Sequence, residues 1–227
     1  MTHHLTLTEV APVTHDTYRL RMPKPDGFTF ASGQAVDLAI DKEGWRDEKR
    51  PFTFTSLPED DHLEFVIKSY PDHDGVTEQI AKLTSGDTVI LDDPWGAIED
   101  KGAGWFIAGG AGVTPFISIL RKRAKENGNL SGSTLIFANK AEKDIILRDE
   151  FEGMSGLTCV FLVEDDDAEA SGPVQKGRVD KGVLSDHVKP GAGKCYICGP
   201  DPMIEAVEAA LKELGVSEGD IVTEEFD

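Results

Sequence analysis

Near residue 103 the chain changes its pattern of apolar residues and turns, and that change constrains the fold more than any other feature. Before it, six short runs rich in β-branched and aromatic residues (LTLTEVAPV, DTYRLRM, AVDLAI, RPFTFTS, LEFVIKSY and DTVILD) are separated by Gly, Pro, Asp and Ser clusters. Runs at this spacing, with no long helical pattern among the first five, predict an antiparallel six-stranded Greek-key β-barrel. One short helix, about Thr77 to Leu83, is expected to interrupt them. After residue 103, GWFIA, the turn GGAGVTP and a helix with Phe116, Leu120 and Ala124 every four residues begin an alternation of strand and helix. TLIFA, LTCVFLV, CYICG and IVTEEF read as further buried strands, and DKGVLSDHV and Pro202 to Leu214 as helices. Strands that are continuously apolar predict an α/β domain whose parallel sheet is covered on both faces. The boundary falls in Pro94 to Gly104, giving domains of residues 1–98 and 99–227, with Glu164 to Gly177 read as a long acidic loop inside the second.

A length of 227 residues suits two domains of ordinary size. The net charge of -19 argues against nucleic acid and anionic membranes, which attract basic surfaces. The acidity reads as a solvated surface; a docking face for a basic partner and adaptation to high salt are alternatives. No run approaches the roughly 18 to 20 apolar residues of a membrane span, and MTHHLTLTEV lacks the pattern of a secretory leader, so a cytoplasmic protein without membrane insertion is expected. Cys159, Cys195 and Cys198 are odd in number and lie in strand-like runs, which suits free thiols in a reducing compartment.

The turn GGAGVTP feeds backbone N–H groups into a helix start, an arrangement that favours phosphate. Thr114 is expected to cap that helix, with Pro115 at its first position. The turn lacks the third glycine of the usual dinucleotide fingerprint, so a plain tight turn is the competing reading. Arg50 shares a strand with Phe52 and Phe54 and the hydroxyls of Thr53, Thr55 and Ser56; a guanidinium there suits a pyrophosphate or simply edges an apolar core. Lys68 and Tyr70 leave another strand, and Gly75, Val76 and Thr77 open the barrel's helix. Cys195 and Cys198 form a C-x-x-C pair without the further ligands that zinc or an iron–sulfur cluster needs. Cys195 is expected in the core and Cys198, at a strand's carboxyl end, facing the crevice where parallel sheets bind ligands. Six scattered histidines show no metal-ligating spacing, and no metal site is expected.

Taken together, RPFTFTS, VIKSY, GVT, GDTVILDDPWG, GGAGVTP, FANKAEKDIILRDEF, CGPDPM and the terminal EEFD resemble the ferredoxin–NADP reductase superfamily, in particular its cytochrome b5 reductase and flavodoxin reductase types. The resemblance implies a barrel that binds FAD and a second domain that binds NADH or NADPH. By matching position Arg50 and Pro51 would hold the flavin pyrophosphate side, Phe52 would lie against the ring, and Thr53 would meet its N5 edge. Ile67, Lys68, Tyr70, Gly75, Val76 and Thr77 would complete that site. Gly110, Gly112, Thr114, Pro115, Gly199, Pro200 and Met203 would take the nicotinamide nucleotide, with Cys198 beside the reacting carbon. Glu225 and Phe226 would cover the flavin. Thr53 and Cys198 are then the catalytic pair, as positioning groups in hydride transfer. Asn139 and Lys140, after the second strand of the sheet, offer no arginine cluster for a 2′-phosphate and favour NADH. Electrons are expected to leave to a separate acceptor such as a small redox protein. Phe52 replaces the family's usual tyrosine, which keeps open a flavin reductase using flavin as a diffusible substrate. A nucleotide-binding subunit of a larger complex is the third reading.

Overall fold

The computed structural model describes residues 2–71, 75–96, 98–164 and 174–224. Seven strands build the first half: β1 (His3–Thr6), β2 (Glu9–Pro12), β3 (Thr17–Pro23), β4 (Ala35–Ile40), β5 (Arg50–Thr53), β6 (His62–Lys68) and β7 (Thr88–Leu91). They pair antiparallel in two sheets, ordered β1-β7-β4-β5 and β2-β3-β6. The run LTLTEVAPV yields two strands because the chain changes sheet at Leu7 and Thr8. The Leu7 amide donates to Asp87 in the first sheet, and the Thr8 amide to Arg21 in the second. At the opposite seam the Thr55 amide donates to the Glu64 carbonyl at 2.8 Å. These two handovers join the sheets into a barrel, whose alternating residues Leu20, Leu38, Phe54, Phe65 and Leu91 are fully buried inside it. The helix α1 (Val76–Ile80) is shorter than expected and starts one residue earlier, with Gly75 as its N-cap.

The second half runs β8 (Gly104–Gly109), a 3-10 turn (Gly110–Val113), α2 (Thr114–Asn127), β9 (Thr134–Asn139), α3 (Arg148–Gly153), β10 (Thr158–Val163), β11 (Val174–Lys176), α4 (Lys181–His187), β12 (Lys194–Cys198), α5 (Asp201–Glu213) and β13 (Ile221–Thr223). All strand pairs are parallel, in the order β11-β10-β9-β8-β12-β13. Part of the expected acidic loop is therefore a strand: β11 pairs with β10, which places Val174 against Phe161. Phe106, Phe137 and Tyr196 face one core with Phe116 of α2, while Ile107, Ile136 and Ile197 face another with Leu184 and Leu211. Burial on both faces explains the lack of polar alternation in these strands. Strand order reverses at β8, between β9 and β12, and such a point opens a crevice at the carboxyl ends.

The two halves pack against one another. Val66 of β6 belongs to the core of the second half. The Gly33 amide donates to the buried Ser118 hydroxyl of α2 at 3.0 Å. Gly33 has φ +91°, and a Cβ there would lie 2.1 Å from the Ile98 carbonyl oxygen, so only glycine fits this approach.

Candidate active site

Between the barrel and the sheet's crevice lies a cavity of about 220 Å³. Ala35, Pro51, Phe52 and Thr53 of β4 and β5 form one side, continued by Val66, Ile67 and Lys68 of β6. Ala111, Gly112, Thr114 and Pro115 face them from the turn after β8, and Cys198 and Glu224 close the floor. A larger hollow of about 560 Å³ touches none of the predicted residues; it is bordered by Gln34, Lys101, Lys122 and the edge strand β13.

The turn is built differently from the expectation. Thr114 is the first residue of α2 and Pro115 the second; Val113 is the N-cap, and no side chain caps the helix. The preceding 3-10 turn supplies the missing geometry. Gly110 has φ +52° with open space beside it, while a Cβ on Gly112 would fall 2.4 Å from the Cys198 carbonyl oxygen. A Cβ on Gly199 would lie 3.1 Å from the Gly109 nitrogen, and a Cβ on Gly109 would strike the Met203 sulfur at 2.5 Å. These close approaches draw the β8 turn, the end of β12 and the first turn of α5, capped at Pro200, into one cradle.

Cys198 is 7% exposed, and its Sγ lies 3.7 Å from a carboxylate oxygen of Glu224. Burial, reinforced by that carboxylate, pushes the thiol far above its ordinary pKa. Burial also raises the Glu224 carboxyl, against the lowering effect of the thiol contact. The thiol is therefore neutral at pH 7, which suits a group that fixes a position and not a nucleophile. Cys195 is wholly buried and pushed up to about 12, and Cys159 to about 11, both mainly by burial. All three thiols are expected to react slowly with iodoacetamide at pH 8 in the folded protein and rapidly in denaturant. Mass spectrometry checks this; native labelling of Cys198 as fast as the unfolded chain would contradict its burial and charge state.

Arg50, Tyr70, Gly75, Val76, Thr77, Gly110, Asn139, Lys140, Gly199, Pro200 and Met203 do not line the cavity, whereas Lys68 does. Arg50 is exposed, its guanidinium bonded to the Lys49 carbonyl at 2.7 Å and to Glu48 at 3.3 Å. Lys68 pairs with Asp16 at 3.0 Å. Tyr70 is exposed, Val76 is buried in the barrel core, and Gly75 and Thr77 are half-buried. Asn139 ends β9, is 7% exposed, and neither amide atom has a hydrogen-bond partner among the described residues; Lys140 beside it is exposed. Glu225 and Phe226 lie outside the described residues.

Sequence reasoning missed two features. Glu224 reaches the cavity because β13 pairs with β12, Ile197 opposite Thr223, which carries the next residue to Cys198. Glu64, in the middle of LEFVIK, is 1% exposed. Its carboxylate accepts bonds from Arg21 at 2.8 Å, Arg121 of α2 at 2.7 Å and Thr55 at 2.9 Å. A lone acidic residue in an apolar strand was the available signal. Burial alone raises this carboxyl, but the charge and hydrogen bonds of Arg121, with bonds from Arg21 and Thr55, outweigh it and hold it below 4.5. Among the described residues, His15, Asp16 and Asp144 also gather at the seam, each aspartate 3.6 Å from the His15 ring.

A β-barrel and a parallel sheet sharing one largely apolar cavity, with a glycine cradle on the sheet side, define a two-domain dinucleotide-dependent oxidoreductase. Two family models match, an FAD-binding domain over residues 2–103 and an oxidoreductase NAD-binding domain over residues 106–209. An NADH-cytochrome b5 reductase 1 of Aspergillus terreus is 31% identical over 92% of this chain and 76% of its own length. The reductase component of a propane 2-monooxygenase from Rhodococcus jostii is 30% identical over 97% of this chain, which spans 62% of that protein. The FAD/NAD-binding domain of a Vibrio cholerae nitric oxide dioxygenase superposes with a TM-score of 0.85 at 22% identity, covering 98% of both chains, and so shares the fold. The chain belongs to the ferredoxin–NADP reductase / cytochrome b5 reductase family. It is a flavin-dependent NAD(P)H oxidoreductase that binds FAD and NAD(H) and passes electrons to a separate acceptor.

The residues present fit both groups. The flat apolar side of the cavity, Phe52, Val66 and Ile67, carries polar atoms only at Thr53 and Lys68, as a planar heteroaromatic ring requires. The unpaired amide of Asn139 and the side-chain-free turn at Gly110 suit a polar, phosphate-bearing ligand on the sheet side.

Proposed function

We propose that residues 1–98 hold FAD and residues 99–227 hold NADH, that Thr53 and Cys198 align the two rings, and that electrons pass on to a small redox protein. The observation that carries this reading is that Thr53, from the barrel, and Cys198, from the sheet, border a single cavity of about 220 Å³. Held against Phe52, Thr53 and Ile67, a flavin would supply the hydride-accepting and one- or two-electron-donating chemistry. The chain's own contribution is alignment. Phe52 and Ile67 give the ring a flat apolar bed, Thr53 offers a hydroxyl and an N–H at its edge, and the neutral Cys198 thiol excludes water without competing for the hydride. Arg50, the exposed first residue of β5, would provide the guanidinium for the pyrophosphate, with Gly75, Val76 and Thr77 completing that side. Asn139 and Lys140 supply hydrogen bonds and one cation where a 2′-phosphate would call for an arginine cluster, which supports NADH over NADPH. The names of the Aspergillus and Rhodococcus relatives point to a cytochrome or an oxygenase component as the kind of acceptor. Free thiols support a reducing, cytoplasmic setting. Among the described residues no helix is long and apolar enough to cross a membrane.

The second reading, a reductase of diffusible flavin, is favoured by Phe52 in place of tyrosine and by an Arg50 whose guanidinium is bound to Glu48 and the Lys49 carbonyl. Anaerobic titration separates the two. A yellow protein with stoichiometric FAD that NADH bleaches supports the proposal; a colourless protein that reduces added flavin supports the second reading, and neither response overturns both. Cys198→Ala is expected to retain FAD and to slow single-turnover reduction about 10-fold, within the range that loss of alignment produces. An unchanged rate removes Cys198 from the catalytic residues.

A further inference from the structure

We infer that Arg121 is a positioning residue for hydride transfer, setting the separation between the flavin side and the nucleotide side of the cavity. The inference rests on the reading of that cavity given above. Arg121 stands on α2 seven residues after Thr114, about two turns along the helix whose first turn borders the nucleotide side. From there it crosses to the barrel. One guanidinium nitrogen donates both to Glu64 at 2.7 Å and to the Thr55 carbonyl at 2.8 Å. The other two grip Glu150 of α3 bidentately, at 2.5 and 2.8 Å.

The two barrel contacts fall where the flavin side is anchored. Thr55 follows Thr53 by two residues, and Glu64 precedes Val66, Ile67 and Lys68 on β6. The same two residues are already joined, by the Thr55 amide to the Glu64 carbonyl and by the Thr55 hydroxyl to the Glu64 carboxylate. Arg121 therefore clamps the junction of both flavin-side strands to the helix that carries Thr114 and Pro115. Glu64 is in turn braced by Arg21, so the clamp bears on the barrel wall and not on a loose side chain. Only a planar guanidinium meets acceptors on three sides at once; the lysine ammonium is a point charge on a flexible stem. Hydride transfer demands reacting atoms about 3 to 3.5 Å apart, and a misplacement of about 1 Å costs on the order of 100-fold. A strut remote from the chemistry that holds the two sides in register thus acts on rate through distance.

The test compares wild type, Arg121→Lys and Glu150→Gln as FAD-loaded proteins in anaerobic stopped flow, with NADH varied to separate the limiting reduction rate from the nucleotide Kd. Arg121→Lys is expected to lower the limiting rate about 10-fold, to leave Kd within about threefold, and to weaken the long-wavelength absorbance of the stacked nicotinamide–flavin pair. Glu150→Gln, which keeps both barrel contacts, is expected to stay within about threefold of wild type. A purely structural role lowers the melting temperature while leaving rate per bound flavin and the stacking band intact; that result overturns the inference. If Arg121→Lys loses flavin, Glu64→Gln replaces it in the same measurement, and a wild-type rate there also overturns the inference. A wild-type protein that NADH does not reduce overturns the functional reading itself, and this inference with it.

Discussion

Gly112→Ala is expected to slow flavin reduction by NADH about 100-fold while FAD stays bound. The added Cβ would sit 2.4 Å from the Cys198 carbonyl oxygen, 2.5 Å from its carbon and 2.6 Å from the Gly199 nitrogen, all backbone atoms. Flexible side chains can swing aside, but these atoms belong to the end of a central strand. To reach an ordinary contact of 3.4 Å the turn must retreat about 1 Å, and Thr114 and Pro115 retreat with it. The flavin side, built from β5 and β6, is untouched, so the loss should appear in the reduction rate and in nucleotide affinity, with flavin content unchanged. Gly153→Ala is the matched control, because a Cβ there meets nothing within 4 Å. Stopped-flow reduction of the two variants decides the matter. A Gly112→Ala protein within threefold of wild type would show that this turn does not hold the nucleotide.

The second large effect is on stability. Glu64→Ala is expected to cost about 3 to 5 kcal/mol, because it leaves the Arg121 and Arg21 guanidiniums facing one another without their shared carboxylate. For a chain of this size each kcal/mol moves the melting temperature by about 2 to 4 °C, so a fall of about 10 °C is expected in the FAD-loaded protein. The pH dependence has a definite sign. The folded carboxyl titrates below its ordinary value of 4.5, so its contribution is fully present above that pH and is lost as pH falls through the lower folded value. The gap between wild type and variant should therefore be constant from pH 7 to about 5 and shrink in more acidic buffer. Scanning calorimetry across that range tests it. A gap under 2 °C at pH 7, or one that widens in acid, would show that the network is not coupled to folding as described.

These two residues also mark how far the sequence could be read. Gly112 stood out at once, because a glycine turn between an apolar strand and a helix carries its own local signature. The structural reason for it, contact with Cys198 some 86 residues further on, does not. Glu64 was visible only as a charge in an apolar strand, and its three cationic neighbours, Arg19, Arg21 and Arg121, come from β3 and α2. Thr114 looked like a cap because a hydroxyl before proline usually is one. A 3-10 turn at Gly110–Val113 shifts the helix start so that Thr114 is already inside it. Leu7 and Thr8 read as mid-strand because alternation persists through a corner, although hydrogen bonding passes there from one sheet to the other. Glu224 carries no local signal that singles it out within EEFD; only the pairing of β13 with β12 brings it to Cys198.

By itself the amino-acid sequence determined the two architectures, their order, and the short segments that carry chemistry, because periodicity, turn residues and glycine placement act over a few residues. Only the tertiary structure decided which segments share a cavity, which thiol is neutral at its floor, and which buried ion pairs brace its sides. Those outcomes depend on contacts between residues tens to more than a hundred positions apart, and on the burial and charge that such contacts create.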